Sequence, residues 1–326
     1  MGVRHTTTPK NTTIHEKKRC EMEFEIFAED LGFPEGPVVL DDGSVIVVEI
    51  SADRVTRCWG DGRKEVIAVT QGGPNGAAIG ADGAIYICNI GGCNWETGFH
   101  AEGPGTGGRI ERIDMATGKI ERLYTKCDGQ LLGSPNDLVI DKTGGIWFTD
   151  IGRSYANCWT QSGLFYCTPD GSSIRKIFAK PVNGWGFGAN SYNGVGLSPD
   201  QQTIYVADMR VARVIAFALQ APGQLAPGAG PQGAPDTVIA TIPGNIGLDS
   251  LAITESGKIC VGTLMDGGIT IVAPSDGTFH HIPFPDHHVT NIAFGGDDMR
   301  TAYITLSGSG KIIKTRWPEP GMKLNF

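Results

Sequence analysis

An all-β fold is predicted, a six-bladed β-propeller of four-stranded antiparallel blades. Three observations predict it. A short polar residue opens an apolar run six times at one register: Glu35, Asn75, Asn136, Asn193, Asp249 and Asn291. Each run leads through a turn into a second apolar strand that ends in a polar residue. The 47 glycines and 19 prolines are spread along the chain as punctuation, as many short strands require. Self-similarity at this spacing is the mark of a propeller or array, and a propeller gathers equivalent positions of all blades around one axis.

The elements follow in order. A glycine lies eight residues after Glu35, Asn75, Asn136 and Asp249, in the turns DDG, ADG, KTG and ESG. The second strands are VIVVE (45–49), AIYICN (84–89), GIWFTD (145–150), TIYVAD (203–208), KICVGT (258–263) and AYIT (302–305). β-Branched and aromatic residues dominate them. Two further strands follow in GRIERID (108–114) with KIERLYT (119–125), and in GLFYCT (163–168) with SIRKIFA (173–179). Their turns, MATGK and PDGS, have hairpin chemistry. The segment 220–236 reads as a loop. The last repeat runs out after GKIIKTR (310–316), so FEIFAE (24–29) is expected to supply its outer strand and close the ring. Residues 1–22 are polar and read as a disordered leader or tag, and 23–326 as a single domain.

The net charge of −8 and the lack of a basic run argue against a nucleic-acid surface. No apolar stretch is long enough for a membrane span. The eight cysteines include no C-x-x-C, and Cys88 and Cys260 fall inside strands as small core residues. Cys93 and Cys158 lie in two long loops, where they either pair or stay free. A reduced, cytoplasmic protein is expected, monomeric or a small homo-oligomer.

First strands run away from the polar residue and second strands return. The six opening residues therefore share one face with the second-strand ends Glu49, Asn89, Asp150 and Asp208. Two carboxylates and four amides around an axis make an oxygen-rich cage suited to a hard divalent cation. The longest loops, 91–107, 151–162 and 180–192, lie on that face and carry Trp95, His100, Arg153, Tyr155, Trp159 and Trp185. These side chains either bind a ligand or pack the loops onto the disc. His287 and His288 precede Asn291 in a loop on the same face. The letters of a dinucleotide fingerprint at Gly103, Gly105 and Gly108 precede a strand rather than a helix, which removes the phosphate-binding mechanism.

The P-E-G start at Glu35, the string S-P-N-D-L-V-I-D-x-x-G-x-I-W-F-T-D (134–150) and Y-N-G-V-G-L-S-P-D-x-x-x-I-Y-V-A-D (192–208) carry a resemblance. From residue 24 to 316 the chain resembles the senescence marker protein/gluconolactonase/luciferin-regenerating-enzyme (SMP-30-like) family of six-bladed propellers. The paraoxonases share the architecture and a similar P-N-D. The resemblance implies a divalent ion held by Glu35, Asn193 and Asp249, with Asn136 a further ligand or substrate contact. It also implies lactone hydrolysis, with Asp249 as general base. Where many relatives have Asp-Gly, this chain has Asp249-Ser250, which adds a hydroxyl.

The chemistry is coherent on physical grounds. A cation polarises a lactone carbonyl and lowers the pKa of water, and an adjacent carboxylate accepts the proton. Amide groups of Asn75 or Asn136 can hydrogen-bond the developing oxyanion. All-oxygen ligation makes Ca²⁺ the expected ion, with Zn²⁺, Mg²⁺ or Mn²⁺ able to substitute. A small sugar lactone is the expected substrate, contacted by Asn75, Asp137, Trp95, His100, Trp159, Trp185 and His288. Arylester or phosphotriester hydrolysis on the same cage is one alternative, and a non-enzymatic calcium-binding propeller is another.

Overall fold

The computed structural model describes residues 22–92, 107–153, 160–179, 190–228 and 235–325. They form a six-bladed propeller of four-stranded antiparallel blades. Blade one comprises Pro34–Val39, Val45–Glu49, Arg54–Cys58 and Lys64–Val69. Blade two comprises Pro74–Ile79, Ile85–Asn89, Arg109–Ile113 and Ile120–Tyr124, and blade three Pro135–Ile140, Ile146–Asp150, Gly163–Cys167 and Ile174–Phe178. Blade four has Tyr192–Leu197, Thr203–Asp208, Arg213–Ala221 and Asp236–Thr241, and blade five Gly247–Ile253, Ile259–Leu264, Gly268–Val272 and Phe279–Pro283. Blade six is Val289–Gly295, Thr301–Leu306 and Lys311–Arg316, completed by Glu25–Ala28. The only helical element among the described residues is the short 3-10 turn Ile50–Ala52. No helix there is long and apolar enough to cross a membrane.

The N-terminal strand closes the ring as its missing partner in the last repeat requires. Glu25 pairs with Lys314, and Ile26 with Ile313, in antiparallel register. Phe27 meets Tyr303 edge to face at 5.0 Å, inside the core shared by blades six and one.

Strand alternation explains how one blade serves two interfaces. Trp147 and its register partner Tyr166 face the core shared with blade four. Phe148 and its partner Phe165 stack at 5.0 Å and face blade two. Both faces of a middle strand are thus buried, which is why these strands read as continuous apolar runs. Cys58, Cys88, Cys127, Cys167 and Cys260 are free and buried, in keeping with a core role.

Two features were not evident beforehand. Pro222 and Gly223, with Gly223 at φ +68°, turn Arg213–Ala221 back into a short strand, Gln224–Leu225, inside the expected loop. Lys126–Cys127 and Gln130–Leu131 form a small extra hairpin.

The second-strand ends act as staples. Glu49 accepts the Gly32 N–H at 2.7 Å, and Asp150 accepts those of Gly133 (2.7 Å), Ser134 (2.8 Å) and Gly152 (2.8 Å). Asp208 accepts from Ser191 N–H at 3.0 Å, and Asn89 donates to the Gln71 carbonyl at 2.7 Å. Each staple pins the segment that enters its own blade's first strand, so it fixes where the polar opening residue sits. The counted turn glycines Gly43, Gly83, Gly144 and Gly257 all have φ between +74° and +88°, the left-handed region a side chain disfavours.

Candidate active site at the propeller axis

All six opening residues lie on the innermost strands. Glu35, Asn75, Asn136 and Asn193 are second in their strands, and Asp249 and Asn291 third. Five are buried, and Asp249 alone is half-buried. After the opening residue, three of these strands carry glycine, because the neighbouring strand comes too close for a side chain. A Cβ on Gly36 would stand 2.7 Å from the Asn75 carbonyl oxygen, one on Gly76 2.6 Å from that of Asn136, and one on Gly194 2.6 Å from that of Asp249. The strand pairing is irregular just beyond these positions, which turns the opening side chains off the regular strand alternation.

The hydrogen bonds divide the ring into braces and free oxygens. Asn291 is a brace: its amide donates to Glu35 Oε2 at 2.8 Å, and its carbonyl accepts from Ile292 N–H at 2.8 Å. Gly36 N–H also donates to Glu35 Oε2. The other carboxylate oxygen, Glu35 Oε1, is buried without a partner. So are Asn136 Oδ1, Asn193 Oδ1 and Ser250 Oγ. Buried polar atoms are nearly always paired, so unpaired ones need an explanation. Among the described residues seven such atoms occur, and four belong to this one cluster. All four are oxygens. With Asp249 they form a donor set that fits a hard divalent cation and not a thiolate-seeking one. No group of three or more His, Cys, Asp or Glu is placed to hold a metal among the described residues, so amide and hydroxyl oxygens would have to complete any shell.

Electrostatics mark the same place. Burial raises the Glu35 carboxyl to about 7 despite its hydrogen bonds. Burial and then the nearby Glu35 charge raise Asp137 to about 8. Burial and then Glu35 likewise push Asp249 up, against the stabilising amide of Asn193. Asp249 nonetheless keeps partial solvent contact.

Asp137 has both oxygens engaged, by Leu138 N–H at 2.9 Å and Val195 N–H at 3.3 Å. Asn75 is buried beside Gly36. His288 is half-buried, 5.9 Å edge-to-face from Phe33, with its backbone N–H on Asp286. His287 is exposed, its Nδ1 2.7 Å from the Met265 carbonyl oxygen. Arg153 is buried and binds the carbonyls of Ile90, Gly91 and Gly92, tying the roots of two long loops together. Trp95, His100, Tyr155, Trp159 and Trp185 lie outside the described residues, as do Cys93 and Cys158.

Sequence reasoning missed the supporting threonines. Thr149 donates to the Asn193 carbonyl and accepts the Asp137 N–H at 3.3 Å. Thr305 meets Thr290 at 2.8 Å and donates to the Asn291 carbonyl at 3.3 Å. Both stand one residue before the end of a second strand, a recurrence visible in FTD and ITL.

Residues 33–308 match the family model described as SMP-30/Gluconolactonase/LRE-like region. A gluconolactonase of Zymomonas mobilis is 26% identical over 207 residues, covering 56% of this chain and 51% of its own. The chain thus spans about half the length of that relative. Among solved structures, a gluconolactonase from Xanthomonas campestris aligns with TM-score 0.70 at 23% identity, covering 90% of this chain and 89% of its own. A calcium-binding protein, regucalcin, from Agrobacterium tumefaciens aligns with TM-score 0.67 at 19% identity, covering 93% and 98%. At these identities the structural likenesses establish the fold alone.

Proposed function

The chain belongs to the SMP-30/gluconolactonase/LRE-like family, and from that premise we propose that it is a divalent-cation-dependent lactonase that opens a small sugar lactone with water. The observation that carries this reading is the set of unpaired buried oxygens, Glu35 Oε1, Asn136 Oδ1, Asn193 Oδ1 and Ser250 Oγ, beside Asp249. These residues would hold the ion, with Ca²⁺ the best match to the donors. When bound, the ion supplies Lewis acidity toward the carbonyl and toward water.

The protein's own groups do the rest. Asn291 and Gly36 hold Glu35 by one oxygen and leave the other free. Asp249, the most exposed ring member, takes the proton of the attacking water. Water oxygen bonds to the carbonyl carbon, the ring C–O bond breaks, and the proton passes to the departing alkoxide oxygen. The product is the hydroxy acid. The amides of Asn75 and Asn136 are suited to donate to the oxyanion as it forms. Asp137 lies beneath the ring with both oxygens engaged, so we assign it support for the site in place of substrate contact.

The test is proton release from a panel of aldonolactones, aryl esters and organophosphates, with Ca²⁺ and with chelator. Chelator-sensitive turnover strongest on aldonolactones is expected. Turnover that survives complete chelation, or that favours aryl esters or organophosphates, contradicts the proposal.

A further inference from the structure

On the turn face of the disc, opposite the loops, the axis opens into a cavity of about 520 Å³. Asp137 and Asn291 stand at its inner end, beneath the ring, and the turn residues Asp41 and Asp297 at its outer mouth. Its walls are apolar side chains of the innermost strands. Ala77 and Ala252 lie on blades two and five, on opposite walls, and both are half-buried because they front the open space.

The C-terminal segment crosses the outer end. Gly321 N–H bonds the Met299 carbonyl at 2.7 Å and Met322 N–H that of Ile253 at 2.9 Å. Asn325 donates to the Ile140 carbonyl at 2.8 Å and accepts from Gln201 at 3.2 Å. The segment therefore runs from blades six and five to blades three and four, and its Met322 and Leu324 complete the apolar lining.

The volume lies within the roughly 300–1,000 Å³ typical of small-molecule sites. The mouth is acidic: of Asp41, Asp42 and Asp297, only Asp42 is paired, with Arg57 at 2.6 Å, and among the described lining residues Lys323 is the one cation. Neither Asp41 nor Asp297 has an ion pair or hydrogen bond among the described residues.

We propose that this chamber is a second ligand site, taking a small cationic amphiphile whose apolar body fills the channel and whose ammonium group rests against Asp41 and Asp297. The apolar walls supply affinity and the two carboxylates supply the choice of charge. The proposal does not rest on the lactonase reading, and the two spaces meet at Asp137 and Asn291.

The experiment is calorimetric titration of the full chain with octyltrimethylammonium below its micelle concentration. Octanoate and tetramethylammonium are the matched controls. Saturable binding at one equivalent is expected, with a negative heat-capacity change from apolar burial. Octanoate should bind at least about tenfold more weakly, and tetramethylammonium not measurably. Ala252→Phe fills the chamber and should abolish binding, with Ala77→Phe reading the opposite wall if the first variant fails to fold. The pair Asp41→Asn and Asp297→Asn together should lower affinity for the cation to that for octanoate. Absence of saturable binding overturns the proposal. So does binding unchanged in the filled variants, or octanoate bound as tightly as the cation.

Discussion

At the scale of the residue, the informative contrast is between oxygens that are engaged and oxygens that are free. Glu35 has one of each, and Asn291 makes the difference. Asp249→Asn keeps an oxygen donor of the same size and removes the basic one. It should lower kcat by about 10²–10⁴-fold at saturating cation, the usual cost of losing a general base. Near-full kcat in that variant, with cation bound, would place the base elsewhere. The raised carboxyls make a second prediction. Glu35 and Asp137 rise from 4.5 and 3.8 to about 7 and about 8, so the folded chain holds protons that the unfolded chain releases. Without cation, the contribution of these two groups to stability is therefore fully present below their ordinary range and is lost as pH rises toward about 8, while the lowered surface carboxyls, such as Asp42 and Asp298, act in the opposite sense at acid pH. Thermal melts in chelator should show this fall, and added cation should flatten it. A cation-free Tm that does not fall between about pH 6 and 8, where the lowered carboxyls are already ionised, would show that these carboxyls are not the buried, proton-holding groups described. The opening residues were legible in the sequence because each begins an apolar run of the repeat, four of them eight residues before a turn glycine. Their division into braces and donors was not, since Asn136 and Asn291 share a residue type and differ only in what surrounds them.

At the scale of the element, two strands meet that are some 290 residues apart, and the meeting was legible from a missing outer strand. Phe27 anchors it against Tyr303. Phe27→Ala should cost about 3–5 kcal/mol in denaturant unfolding, as for other large core aromatics. A cost below about 1 kcal/mol would mean the closing strand contributes little to the ring. The staples were the less legible part. The register of Glu49, Asn89, Asp150 and Asp208 put them on the same face as the opening residues but did not say what they do there. Each holds a backbone group of the segment entering its blade, and Glu49 and Asn89 are further tied to the side chains of Arg54 and Glu111. A polar residue at a strand end serves either purpose, and the sequence does not record which backbone N–H lies nearby. The short strand Gln224–Leu225 was hidden for a related reason, since proline and glycine around it signal a turn and conceal the two residues that pair.

At the scale of the whole molecule, the ring is what turns six distant residues into one site. Every blade contributes an innermost strand, so a bound cation would tie blades one, three, four and five together. A ligand that binds only the folded state at a hundred times its Kd adds about 2.7 kcal/mol of stability. Saturating Ca²⁺ should therefore raise Tm in one cooperative transition, and Asn193→Ala should remove most of that rise. The most direct measurement is Ca²⁺ titration by calorimetry on the metal-stripped protein, beside Glu35→Gln. The unpaired oxygens predict one equivalent bound by the wild-type chain and binding weakened or lost in the variant. Equal stoichiometry and equal affinity in both would contradict a cation site at the axis.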